Sequence, residues 1–168
     1  LNTEDINKKA IIYERDNGEI ETFSFGEIEK LATGLAIKLT HLGYGFGDNI
    51  AVHTGQHPDT AIAHMAICKI GGIAVTLSQL YGPETLKHAM NDCRVEVILT
   101  SNKVWGSLRN IKSNAFPHLK HIILREPKNN EISLEDAYLS RDNNFKPFYS
   151  KANDPALLMY TSGSTGKP

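Results

Sequence analysis

Between residues 50 and 124 short apolar runs alternate with stretches of helical periodicity, and this alternation leaves few architectures open. Residues 50–53, 73–77, 95–100 and 118–124 are short, mostly apolar runs that read as strands. A strand that is apolar on both faces is covered on both, as happens in a parallel sheet flanked by helices. Between the runs, Pro58 opens a helix over 58–70, at the first helical position, where its missing N–H does no harm. Ala61, Ile62, Met65, Ala66, Ile67, Cys68 and Ile70 make that helix apolar over most of its surface, which predicts a buried helix. Gly71-Gly72 stops it, Pro83-Glu84 opens a helix over 83–92, and 102–112 reads as helical. The expected fold is α/β, a parallel-rich sheet with helices on both faces.

The N-terminal fifty residues add a hairpin and a long helix. Residues 10–15 and 19–23 read as strands joined by the turn signal Asp16-Asn17-Gly18. Ser24 and Glu27 have the spacing of a capping box, in which each side chain satisfies a free backbone amide of the other residue. Ile28, Leu31, Ala32, Leu35, Ala36, Leu39 and Leu42 follow in steps of three and four, which predicts a helix over 25–42 ending at Gly43. Towards the C-terminus the expectations are an exposed loop over 125–131, a short helix over 133–139, an irregular polar stretch over 140–153 and a strand over 156–160.

Composition narrows the function classes. The chain has 168 residues, 40% hydrophobic and 22% charged, which suits one soluble globular domain. A net charge of -1 without a basic patch gives no footprint for nucleic acid. No run of 18 apolar residues predicts a membrane span, and the first residues lack the basic and apolar regions of a signal peptide. Cys68 and Cys93 have no CxxC partner and read as small buried hydrophobes in a reducing compartment, so a cytoplasmic location is expected. The chain starts without Met and stops at Gly166-Lys167-Pro168, so it reads as a piece of a longer protein.

The chemistry is concentrated at the end. The apolar run 156–160 leads into Thr161-Ser162-Gly163-Ser164-Thr165-Gly166-Lys167. Two glycines let successive backbone N–H groups converge on an anion, and four hydroxyls can donate to phosphate oxygens. Lys167 adds a positive charge, and the segment as a whole reads as a polyphosphate cradle. It is not a Walker A loop, because Thr161 stands where that motif needs Gly and Pro168 stands where it needs Ser or Thr. Proline also disfavours a helical conformation at Lys167, so the cradle is expected to work through hydroxyls and backbone rather than a helix N-terminus.

The run Tyr160-Thr161-Ser162-Gly163-Ser164-Thr165-Gly166-Lys167-Pro168 resembles the signature phosphate loop of the adenylate-forming (AMP-binding) superfamily. That superfamily includes acyl-CoA synthetases, luciferases and peptide-synthetase adenylation domains. The likeness extends over residues 10–168. Thr22-Phe23-Ser24-Phe25 with Glu27 resembles the family's first motif, Gly47-Asp48-Asn49-Ile50-Ala51-Val52 its strand entry, and 66–75 its helix–Gly–strand unit. Residues 76–86, followed by His88-Ala89-Met90-Asn91-Asp92, look more like AMP-forming acetate and short- or medium-chain acyl-CoA synthetases than peptide-synthetase domains.

The resemblance implies that residues 1–168 are part of an N-terminal domain, truncated within the phosphate loop. It implies ATP, Mg2+ and coenzyme A as cofactor and co-substrates, a small carboxylic acid as substrate, and adenylation followed by transfer to the thiol. Thr161, Ser162, Gly163, Ser164, Thr165, Gly166 and Lys167 would hold the β- and γ-phosphates. The family's adenine pocket, ribose-binding acid, magnesium-side glutamate and catalytic lysine lie downstream, so no catalytic residue is assigned and this piece alone is expected to be inactive. The alternatives are another adenylate-forming enzyme, such as a peptide-synthetase domain, and a non-catalytic truncated module that binds a nucleotide or a partner.

Seven histidines raise a metal site as a competing reading. His57 and His64 are two helical turns apart with Thr60 between them, and no HExxH or paired carboxylate completes a site. No resident metal is expected, and magnesium would arrive bound to ATP. His118 and His121 are expected on opposite faces of a strand, at the surface.

Overall fold

A computed structural model describes residues 3–108, 115–128 and 131–160. After a short helix α1 (Thr3–Ile6), strands β1 (Lys9–Glu14) and β2 (Ile20–Ser24) form an antiparallel hairpin, a sheet of its own. The expected turn joins them, with Gly18 at φ +82. Helix α2 (Phe25–His41) begins on the predicted capping box: Ser24 Oγ accepts from the Glu27 amide at 3.2 Å, and Glu27 Oε2 accepts from the Ser24 amide at 2.7 Å. Gly43, at φ +93, takes the left-handed position just past the helix end.

The main sheet has six strands in the order β7-β6-β5-β3-β4-β8, every pair parallel. They are β3 (Asn49–His53), β4 (Ile73–Thr76), β5 (Val97–Ser101), β6 (His121–Arg125), β7 (Ile132–Ser133) and β8 (Leu157–Met159). Parallel neighbours need crossovers, here helices α3 (Pro58–Lys69), α4 (Pro83–Asp92) and α5 (Asn102–Leu108). A sixth helix, α6 (Leu134–Tyr138), follows β7. Alternate strand residues feed two cores. Ile50, Val52, Ala74, Val97, Leu99 and Ile123 pack under α2, α3 and α6. Ala51, Val75, Ile98 and Leu124 pack under α4 and α5. Helices cover both faces, and the continuous apolar runs are explained because both sides of each strand are buried.

Several boundaries differ from the sequence reading. Helix α3 is not apolar all round: Ala61, Met65 and Cys68 form an exposed stripe, so Cys68 is not a buried hydrophobe whereas Cys93 is. The helix meets the sheet on one side and α2 on another, and the third side faces outward. β5 starts at Val97 rather than 95, because Arg94 takes a left-handed turn and the Val95 amide bonds back to Met90 O at 2.9 Å. β6 starts at His121 rather than 118, after a turn over 116–118, so His118 and His121 do not bracket a strand. His118 is exposed, but His121 is half-buried with Nδ1 2.6 Å from the Tyr44 hydroxyl. The expected loop 125–131 begins with the last residue of β6, and the short β7 was not expected. The part of helix 102–112 beyond Leu108 lies outside the described residues.

Strand β8 borders the sheet among the described residues, and on its face away from α4 Leu157 is 50% and Met159 64% exposed. A border strand is the kind of surface that pairs with another strand.

Candidate active-site cleft

In an open parallel sheet the crevice for a ligand lies at the carboxyl ends of the strands, where successive connections depart to opposite faces. Here α3 leaves β3 towards one face and α4 leaves β4 towards the other. The ends of these adjacent strands part, and a cleft of about 890 Å³ opens above them. Its walls are residues 55–58, Thr60 and Ala61 after β3, residues 77–81 after β4, Ile11 and Tyr13 of the hairpin, and Met159 and Tyr160 at the end of β8.

Polar groups tie the two loops together. The exposed Gln79 carboxamide lies directly over Gly55, which has φ +69; a Cβ there would come within 2.3 Å of the carboxamide, so Gln79 would have to move aside. His53 is 2% exposed, and its Nε2 lies 3.2 Å from the Ser78 carbonyl. A carbonyl only accepts, so Nε2 carries the proton, and burial lowers the tendency of the ring to take a second one. Thr60 Oγ1 donates to Gly55 O at 2.6 Å and meets Thr54 Oγ1 at 2.7 Å. His64 Nδ1 donates to Thr60 O at 2.6 Å while Nε2 meets Thr76 Oγ1 at 2.8 Å. His64 is thus occupied in bracing α3 against β4. Among the described residues no group of three His, Cys, Asp or Glu side chains suits a metal ion.

The mouth of α3 is held by a second polar group. Asp59 is 3% exposed; its Oδ1 accepts from the Tyr138 hydroxyl at 2.7 Å, and its Oδ2 forms an ion pair with Arg125, without hydrogen-bond alignment. His57 caps the helix: its Nδ1 accepts from the Asp59 amide at 3.1 Å and faces the Arg125 guanidinium at 2.8 Å. Burial first, and then the neighbouring Arg125 charge, push the His57 pKa down to about 4, so the ring is neutral near pH 7 and Nδ1 is free to accept. Tyr13 packs edge-on against that ring at 4.7 Å, which fastens the hairpin to the cleft wall.

The segment 161–167 begins where Tyr160 leaves this cleft. Thr161, Ser162, Gly163, Ser164, Thr165, Gly166 and Lys167 themselves lie outside the described residues. Gln79, His57, Asp59 and Arg125 were not singled out as partners in the sequence. Asp59 and Arg125 are joined across 66 positions, and no local pattern signals such a pair. The only hint was Pro58-Asp59, which marks a helix start.

Residues 2–168 match the protein family described as AMP-binding enzyme. The chain belongs to that family. It is 27% identical to an acetyl-coenzyme A synthetase of Gemmatimonas aurantiaca, over 96% of this chain and 28% of the relative. An acetyl-coenzyme A synthetase of Chlorobaculum tepidum is 28% identical over 96% of this chain and 27% of its own length. The chain therefore spans little more than a quarter of these relatives. Among solved structures, an anthranilate CoA ligase in complex with anthranoyl-AMP superposes with a TM-score of 0.85 at 24% identity, over 99% of this chain and 32% of that one. An acyl-CoA synthetase of Brucella canis superposes with a TM-score of 0.81 at 16% identity, over 95% of this chain and 29% of that one. At such identities these neighbours establish the fold, the mixed α/β fold shared by AMP-binding family members. No helix among the described residues is long and apolar enough to cross a membrane.

Proposed function

We propose that this chain is the N-terminal part of a longer AMP-forming acid–CoA ligase, which uses ATP to activate a small carboxylic acid and passes the acyl group to coenzyme A. The observation that carries this reading is the cleft at the switch point of the sheet, which opens where the chain enters the hydroxyl- and glycine-rich segment 161–167. The family membership and the acetyl-coenzyme A synthetase relatives support it. The coverage of those relatives supports a longer polypeptide, with the phosphate loop at a junction between this part and the next.

In the first step a carboxylate oxygen attacks the α-phosphorus of ATP. One P–O bond forms, the bond to the β-phosphate breaks, and pyrophosphate leaves with its charge. Little covalent work falls to the protein, so positioning and charge neutralisation carry the step. The backbone amides and hydroxyls of 161–166 would hold the β- and γ-phosphates, and Lys167 would neutralise the charge that departs. In the second step the thiol of coenzyme A attacks the acyl carbon, AMP leaves, and the thiol proton is released. Mg2+ would enter as the ATP complex. A cytoplasmic setting accords with the free thiols Cys68 and Cys93.

The test is product analysis with the full-length protein, ATP, Mg2+ and a short carboxylic acid in the absence of coenzyme A. Acyl-AMP and pyrophosphate are expected. ADP and phosphate, or ATP breakdown that ignores the carboxylate, would overturn the assignment.

A further inference from the structure

Tyr160 is the last residue before the phosphate segment, and both of its ends are fastened to the same region of the fold. Leu158 and Tyr160 point to the α4 side of β8, whereas Leu157 and Met159 face the other way. On that side the Tyr160 hydroxyl reaches the end of α4, where it donates to Asp92 Oδ2 at 2.6 Å. It has a single proton to give, so the Cys93 thiol, 2.8 Å away, acts as donor to its oxygen. Burial, reinforced by Asp92 and Cys93, holds the hydroxyl in its protonated form. Burial likewise keeps the Cys93 thiol protonated. The Tyr160 carbonyl meanwhile accepts from the Tyr81 hydroxyl at 2.9 Å, and Tyr81 lies just ahead of α4 in the cleft wall. A peptide unit is planar, so fixing that carbonyl fixes the plane through which the chain enters the loop.

Asp92 supplies an independent observation. It closes α4, whose last turn has no basic residue, and a carboxylate at a helix C-terminus is disfavoured by the helix dipole. Its position gains nothing for the helix, but it supplies the acceptor for Tyr160.

We infer that Tyr160, held by Tyr81 and by Asp92 with Cys93, is a positioning residue for the phosphate-binding step, because it anchors the chain at the cleft wall one residue ahead of segment 161–167. The inference depends on the reading of that segment as a phosphate loop. Tyr160 touches no reacting atom in this scheme. It acts by fixing the point from which the chain continues into that segment.

The experiment measures carboxylate-dependent pyrophosphate–ATP exchange and, separately, thioester formation from pre-made acyl-adenylate, in the full-length protein. Tyr160→Phe removes one hydrogen bond to a charged group and should lower exchange about tenfold. Tyr81→Phe removes a neutral bond and should lower it about threefold to fivefold. Thioester formation should change by less than about twofold in both variants, because pyrophosphate has gone by then. Asp92→Ala should lower exchange severalfold while leaving the melting temperature little changed, a combination that a merely structural role would not give. In a double-mutant cycle, Tyr160→Phe should lose most of its effect in a Lys167→Ala background, since both act through the same loop. If Lys167→Ala leaves exchange intact, the phosphate-loop reading itself fails. If Lys167→Ala is damaging but Tyr160→Phe and Asp92→Ala exchange at the wild-type rate, the positioning role alone is overturned. Equal losses in both half-reactions, or losses that multiply in the double variant, overturn it as well.

Discussion

Replacing Lys167 by Ala in the full-length protein should slow carboxylate adenylation by about one to two orders of magnitude. The magnitude follows from the interaction removed: a charge-assisted contact to a phosphate contributes about 1.5–3 kcal/mol. Thr165→Ala removes a neutral donor and should cost about 0.5–1.5 kcal/mol. Both losses belong to the step in which pyrophosphate departs, so thioester formation from pre-made acyl-adenylate should hardly change. Assaying the two half-reactions separately decides the matter. Equal damage to both would mean that the loop is structural, or that it serves a movement between the steps, and the phosphate-cradle assignment would be withdrawn.

The largest effect on stability should come from Arg125. Asp59 is almost fully buried, and its charge is balanced by the Arg125 guanidinium and the Tyr138 hydroxyl. Arg125→Met would leave the carboxylate with the Tyr138 hydroxyl and the neutral His57 ring beside it. Removing one partner of a buried ion pair costs about 3–5 kcal/mol, because the other charge remains desolvated. Arg125 itself is 24% exposed, so the lower end, about 3 kcal/mol, is expected, read from the denaturant midpoint of the full-length protein. The double variant Arg125→Met with Asp59→Asn should recover much of that loss, since exchanging both partners of a buried pair is often close to neutral. A loss below about 1 kcal/mol in the single variant would show that solvent reaches Asp59 and that the pair does not pin α3 to β6.

The fold was largely legible because its signals are local. The Ser24–Glu27 box, Pro58 and Pro83 at first helical positions, and Gly43 beyond α2 each act within a few residues, and each sits where expected. The apolar runs gave both covered faces of the sheet, since a strand buried on both sides cannot alternate. What could not be read is what depends on tertiary position. The outward stripe Ala61, Met65 and Cys68 has the same small or apolar character as the buried faces of α3, and nothing in the periodicity tells them apart. His121 looked like a surface residue because its partner, Tyr44, lies 77 positions away. The strand order, with β3 between β4 and β5, follows from packing and not from the order of segments along the chain. The same holds for the site. Segment 161–167 is contiguous, so its residue types and spacing could be read from the sequence, and it lies outside the described residues. The cleft is assembled from the hairpin, two strand-end loops and β8, and it exists only once the strands are in order.

The most direct test of the central claim is pyrophosphate–ATP exchange, driven by short carboxylic acids, in the full-length protein and in the 168-residue chain side by side. The account predicts carboxylate-dependent exchange in the full-length protein and none above a no-protein control in the shorter chain, because the groups that hold adenine and ribose and complete the reaction are expected in the remaining polypeptide. Exchange by the 168-residue chain alone, or its absence from the full-length protein with every acid tried, would contradict it.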